Sequence, residues 1–186
     1  IKLLKDHRDE EWHMGTLWYE LTTKRREEKT ISYAESHDQA LVGDQTIMMR
    51  LMNEQIYSGM EKDRPGVRAF RAVALHKMIR LITLATADSG YLNFMGNEFG
   101  HPEWIDFPSE RNGFSFDFAR RQWSLKYDER LFYSSLFEFD RRMIDLAKSS
   151  DLLNSSDLAL LKIHEDDKLL IFVRGKMVFV FNFHPE

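Results

Sequence analysis

The sequence contains no cysteine among its 186 residues. This excludes disulfides and thiolate metal sites, and it is typical of a reducing compartment such as the cytoplasm, the location that we predict. No apolar run approaches the roughly 20 residues that a membrane-spanning helix needs, and no signal peptide is recognisable. We therefore expect no membrane partner.

The charges are mixed and close to balance, with 26 basic and 30 acidic residues and a formal net charge of −4. A nucleic-acid partner is not expected, because a polyanion would favour a basic surface. Apolar residues make up 43% of the chain, which is enough to fill the core of one ordinary domain.

The two ends of the sequence favour a piece of a longer protein. The chain opens at Ile1 in a helix-like run with no initiator Met. It stops at Glu186, directly after a strongly β-prone segment. We therefore interpret it as a fragment.

The hydrophobic pattern predicts alternating helices and strands. Residues 1–28 are predicted to form helical segments broken around Asp9–Glu11 and Gly15, and Thr30–Ser36 reads as a strand. Apolar residues then recur at three and four positions over 67–85, which predicts an amphipathic helix. Its basic residues are expected to form a solvated face; they are Arg68, Arg71, Lys77 and Arg80. A second predicted strand and its exit loop occupy 91–100 and complete an α/β order.

The last third of the chain has a different character. A final helix is predicted around 132–146, with Asp128 as its cap. Three β-prone runs follow at 158–163, 169–173 and 177–183, joined by short polar turns. They predict an antiparallel meander in a new domain.

Polar side chains follow both of the first two predicted strands. His37 and Asp38 come after the first strand, and Asn97 and Glu98 come after the second. In a barrel of parallel strands, the groups at the C-terminal strand ends do the chemistry. Taken alone, the His-Asp pair has three interpretations. It could be a histidine bonded near a turn, a divalent-metal site as in some phosphohydrolases, or a sugar site in which carboxylate and imidazole hold vicinal hydroxyls.

Longer blocks favour the sugar site. The chain resembles the 1,4-α-glucan (glycogen and starch) branching enzymes of the α-amylase superfamily. The resemblance is carried by Tyr33–Asp44 (YAESHDQALVGD), Leu75–Thr83 (LHKMIRLIT), Gly90–Pro108 (GYLNFMGNEFGHPEWIDFP), Ala119–Gln122 (ARRQ) and Val180–Pro185 (VFNFHP).

The resemblance implies the C-terminal portion of a (β/α)8 TIM barrel, followed by the first strands of an antiparallel β-sandwich. Residues 1–150 would belong to the catalytic barrel and 151–186 to the truncated all-β domain. The family's nucleophilic Asp and acid/base Glu would precede Ile1. The third carboxylate of the family matches Asp38, which would stabilise the transition state.

The resemblance also assigns roles to the other candidate residues. His37 would bind a hydroxyl of the same sugar, and Glu35, Asn97 and Glu98 are possible outer supports. A purely structural turn at Gly96 is the alternative for the last two. No metal and no cofactor are implied.

The implied substrate is an α-1,4-glucan such as glycogen, amylose or amylopectin, and the implied reaction moves a chain to a 6-OH with retention. The isolated chain is expected to be inactive. It is also expected to self-associate, because an incomplete barrel leaves strand edges unpaired. The alternative is a non-catalytic glucan-binding or purely structural fragment.

Overall fold

The computed structural model describes residues 2–25, 28–38, 45–102 and 105–185. The chain divides into two compact units. The first unit comprises Ile1–Ala34, Met78–Leu92 and Arg142–Glu186, and the second comprises Glu35–Lys77 and Asn93–Arg141.

Helices and strands are mixed along the chain, as the α/β prediction requires. The α-helices and strands with fully described bounds are α1 (Lys2–Asp6), α2 (Met14–Thr22), β1 (Ile31–Ser32), α3 (Ile47–Met52), α4 (Ala69–Ala85), β2 (Gly90–Tyr91), α5 (Phe132–Ser149), β3 (Leu158–His164), β4 (Leu169–Arg174) and β5 (Met177–Asn182). No helix in the described ranges is long and apolar enough to cross a membrane.

The first unit contains a short parallel pair, β1 and β2. Ile31 aligns with Gly90 and Ser32 with Tyr91. The strand predicted at 30–36 is too long, because a strand extends only as far as a partner backbone supplies hydrogen bonds. The second strand, predicted with its exit loop at 91–100, consists of Gly90–Tyr91. Ile31, although it belongs to this pair, is 65% exposed.

Helix α4 confirms the helix predicted between the two strands, with two corrections. Val67 and Phe70 were expected in the apolar stripe but are exposed, whereas Ala72 and Leu75 are buried. Arg80 was expected on a solvated face but is only 2% exposed. Its guanidinium lies over the ring of Tyr91, 5.9 Å from the centroid, so a cation–π contact accompanies its burial.

The predicted meander is confirmed in the first unit. Strands β3, β4 and β5 form an antiparallel sheet in that order. Phe172 and Phe179 are register partners whose rings stack 5.2 Å apart. Phe172 also contacts Trp18 of α2 at a centroid distance of 5.2 Å. The buried face of the sheet therefore packs on α2.

The second unit has its own core, to which α3 and the first turns of α4 and α5 contribute. Its largest fully buried side chains are those of Met48, Met52, Ile56, Phe99 and Leu136.

The predicted cap of the last helix is wrong. Helix α5 begins at Phe132. The carboxylate of Asp128 instead accepts hydrogen bonds from the Arg130 side chain and backbone N–H, which lower the pKa of Asp128 to about 2. Asp128 therefore orders the preceding turn.

A carboxylate from the meander caps helix α2. Glu165, in the β3–β4 turn, accepts hydrogen bonds from the backbone N–H groups of Met14 and Gly15, both at 2.8 Å. Helix α2 therefore includes Gly15, and the predicted break there is wrong, although the interruption at Asp9–Glu11 is confirmed as a 3₁₀ turn. Partial burial of Glu165 acts to raise its pKa, but the two N–H groups, together with the nearby His13 and Lys168, outweigh this and lower the pKa.

Glu165→Gln should destabilise the chain by about 0.5–1 kcal/mol at pH 7, since the side chain is partly exposed and solvent screens the interaction. Because the folded pKa is depressed, this stability is present above the unfolded value near 4.5 and is lost as pH falls through the folded pKa. Denaturant unfolding at several pH values measures it. The exposed neighbour offers a control, Asp166→Asn, and equal effects of the two changes at pH 7 would refute the cap.

Candidate functional site

The imidazole of His37 and the carboxylate of Asp38 lie side by side. His37 Nε2 is 3.2 Å from Asp38 Oδ1, and the two side chains are 58% and 63% exposed. Ser36 Oγ lies 3.3 Å from Asp38 Oδ2 and from the Asp38 backbone nitrogen. The pair therefore presents polar atoms to solvent, and the contacts with Ser36 restrain the Asp38 carboxylate.

The residues after the two predicted strands come together within the second unit. The ring of Phe94 meets the imidazole of His37 edge-on, with centroids 6.1 Å apart. Arg121 interacts electrostatically with Glu35 of the first segment and with Glu98 of the second. The two polar segments singled out in the sequence are thus neighbours in space.

Glu35 is buried and acts on the backbone. It is 4% exposed, and its Oε2 accepts a 2.7 Å hydrogen bond from the N–H of Ile47, the first residue of α3. Thr46 Oγ1 accepts a second hydrogen bond at the same helix end, from the N–H of Met49. Glu35 therefore ties the segment that carries His37 to the N-terminus of α3, where a negative charge is also favoured by the helix dipole.

Glu98 holds the turn that precedes it. Its Oε2 accepts a 2.6 Å hydrogen bond from the N–H of Gly96. Gly96 has φ +96°, and a Cβ there would lie 2.6 Å from Nε of Arg121. Only glycine fits this position, because of both its backbone conformation and the side chain that crosses it.

Asn97 differs from its neighbour. It is 2% exposed, and its amide oxygen and nitrogen have no hydrogen-bond partner among the described residues. A buried amide without partners costs free energy. Any support that the Asn97 side chain gives to the site therefore comes through packing in the described part of the chain, while its backbone bonds the carbonyl of Phe94 and the N–H of Gly100.

The sequence reasoning did not single out Arg121, although its motif carried part of the resemblance. This residue is 5% exposed. Its Nε donates to the carbonyl of Met95 at 2.9 Å, and Nη1 lies 3.2 Å from Nδ1 of His101. Burial lowers its pKa, while Glu98 and Glu35 act in the opposite direction. A charge run or spacing rule could not have found it, because its partners are distant in sequence.

The arrangement suits recognition of hydroxyl groups. A carboxylate accepts hydrogen bonds, and an imidazole can donate or accept them, so adjacent sugar hydroxyls match the pair. Within the described ranges, no group of three or more His, Cys, Asp or Glu side chains could hold a metal ion.

Comparison with known proteins finds curated enzymes that are similar to the chain over its whole length. The chain is 50% identical over its whole length to the 1,4-alpha-glucan-branching enzyme of Yarrowia lipolytica and covers 27% of that protein. It is 49% identical to the enzyme of the same name from Saccharomyces cerevisiae, of which it covers 26%. It is also 49% identical to the chloroplastic/amyloplastic enzyme of Oryza sativa, of which it covers 23%.

No protein-family model matches the chain. The chain spans about a quarter of the length of the curated relatives that it matches. The resemblance inferred from the motifs is nevertheless confirmed, because about half of the residues are identical over the whole length of the chain. The chain is therefore a relative, over its entire length, of a segment of the 1,4-alpha-glucan-branching enzymes.

Proposed function

We propose that this chain supplies the sugar-holding part of the catalytic centre of a 1,4-α-glucan branching enzyme. The observation that carries the proposal is the exposed His37–Asp38 pair, 3.2 Å apart. It occurs in a sequence half identical to branching enzymes. The substrate would be an α-1,4-glucan such as glycogen, amylose or amylopectin.

The reaction would be a retaining transglycosylation. A carboxylate attacks the anomeric carbon while a carboxylic acid protonates the departing glycosidic oxygen, which leaves a covalent glycosyl-enzyme. The 6-OH of a glucan then attacks the same carbon and gives its proton to the conjugate base. One α-1,4 link is thereby exchanged for an α-1,6 link. We assign neither of these two carboxylates to the present chain.

Asp38 would act on the sugar at the cleavage point. We assign it the 2- and 3-hydroxyls, whose hydrogen bonds strengthen as the ring flattens toward an oxocarbenium ion. An interaction that is stronger in the transition state than in the ground state accelerates the reaction. His37, beside it, would bind another hydroxyl of the same sugar. Glu35 and Glu98 would fix the segments from which these groups project.

The same proposal gives the fold its context. We infer that β1 and β2 are neighbouring strands of a (β/α)8 barrel. The two strands are parallel, helix α4 lies between them in the sequence, and polar residues follow each strand. Residues 151–186 would open the all-β domain. A cytoplasmic location and self-association of the chain stay predictions.

The isolated chain should neither branch nor hydrolyse amylose, because a retaining reaction needs a nucleophile and an acid/base that we do not assign to it. Amylose incubated with the purified chain should keep its iodine spectrum. If the spectrum changes and Asp38→Ala abolishes that change, the chain is itself an enzyme and this expectation is wrong. A change that survives Asp38→Ala indicates a contaminant.

The positive test uses an exchange enzyme, defined as the Saccharomyces cerevisiae branching enzyme in which the segment matched by this chain is replaced by the chain itself. The exchange enzyme should change the iodine spectrum of amylose. The matched control is the exchange enzyme that carries Asp38→Ala. A folded exchange enzyme that binds glucan without changing the spectrum would favour the alternative, a glucan-binding segment without a catalytic role.

A further inference from the structure

The guanidinium of Arg121 lies at the centre of the contacts that hold the candidate site. It bonds the carbonyl of Met95 at 2.9 Å and lies 3.2 Å from the His101 ring. It also interacts with Glu35 and Glu98, the carboxylates that fix the two converging segments. A charged group that is 5% exposed pays a desolvation penalty, which these contacts offset.

Arg121 also contacts the ring that faces His37. Its guanidinium carbon lies 5.2 Å from the centroid of Phe94. The same Phe94 ring meets the His37 imidazole edge-on, with centroids 6.1 Å apart. Cation–π and edge-to-face contacts both depend on ring orientation, so two contacts constrain the angle of the Phe94 ring.

We propose that Arg121 is a positioning residue that sets the orientation of the His37 imidazole through the Phe94 ring. It touches neither His37 nor Asp38 in any described contact, so its effect on the reaction is indirect. The inference rests on the proposed function, because it matters only if His37 binds the sugar. Lysine could keep the charge at this position but not the planar group that lies on Phe94 while bonding the Met95 carbonyl.

A double-mutant cycle in the exchange enzyme tests this coupling. Arg121→Lys should lower kcat/KM by about tenfold, because a small misplacement of a binding group is costly to the reaction. In the His37→Ala background the same change should cost less than about twofold, since residues that act through one another are not additive. The control is Arg120→Lys, the same chemical change at an exposed neighbour, which should leave kcat/KM unchanged.

The outcomes separate this inference from the proposed function. If His37→Ala lowers kcat/KM and Arg121→Lys costs the same factor in both backgrounds, Arg121 only stabilises the fold and the inference is wrong. If His37→Ala has no effect, the proposed role of His37 fails and the inference fails with it.

A second variant keeps the proposal testable if Arg121→Lys folds poorly. Phe94→Leu removes the ring that joins the two residues and leaves the guanidinium in place. Its loss of kcat/KM should likewise shrink in the His37→Ala background. Additive losses would overturn the proposal by this route as well.

Discussion

In the exchange enzyme, Asp38→Asn should lower kcat by on the order of 10²-fold or more, as expected when a group that stabilises developing charge is lost. The substitution keeps the size of the side chain but removes its charge and replaces an acceptor by a donor. Binding of a maltooligosaccharide in the ground state should weaken far less, because the contact strengthens mainly in the transition state. Initial branching rates and calorimetric binding give the two quantities.

The control for Asp38→Asn is Asp63→Asn, which removes an exposed carboxylate elsewhere in the second unit. It should leave both quantities unchanged. If Asp38→Asn weakens binding and kcat/KM by equal factors, Asp38 is a plain substrate-binding residue. An unchanged kcat would remove it from the catalytic centre.

The largest effect on stability should come from Arg174, at the end of β4. It is 3% exposed, and its guanidinium donates to the carbonyls of Leu152, Ala85, Ala87 and Asp88. Burial lowers its pKa, and the nearby Asp88 carboxylate opposes that shift. Arg174→Met should lower the free energy of unfolding by about 2–4 kcal/mol, because it leaves buried carbonyls unpaired where α4 ends.

Denaturant unfolding of the chain measures this loss. The control is Lys176→Met, which makes the same change of charge two residues away at an exposed position. Arg174→Lys should fall between the two, since an ammonium reaches fewer carbonyls than a planar guanidinium. If Arg174→Met is no more destabilising than Lys176→Met, the bonds to these carbonyls contribute nothing to stability.

The meander could be predicted from sequence because its pattern is local. In β5 the buried Phe179 and Phe181 alternate with the exposed Val178 and Val180, the period of two that a half-buried strand imposes. The lengths of β1 and β2 could not be predicted this way. A parallel pair is limited by the partner backbone, and residue propensity does not report on that partner.

In the candidate site, too, the local features could be predicted from sequence and the contacts between distant residues could not. His37 and Asp38 are adjacent in sequence and follow a strand, so their proximity was predictable, whereas their role in catalysis stays a prediction. Arg121 lies 26 residues from Met95, whose carbonyl it bonds, and Glu35 lies 12 residues from Ile47, whose N–H donates to it. No periodicity encodes such pairings. For the same reason Arg80 was expected in solvent, although its cation lies over Tyr91.

Counting bonds made and broken by the exchange enzyme tests the central claim most directly. Proton NMR of amylose digests resolves the anomeric signals of α-1,4 links, α-1,6 links and reducing ends. A transfer to the 6-OH predicts one new α-1,6 link for every α-1,4 link lost, with no gain in reducing ends, and no change with Asp38→Ala. A loss of α-1,4 links matched by new reducing ends, or α-1,6 links that still form with Asp38→Ala, would contradict the account.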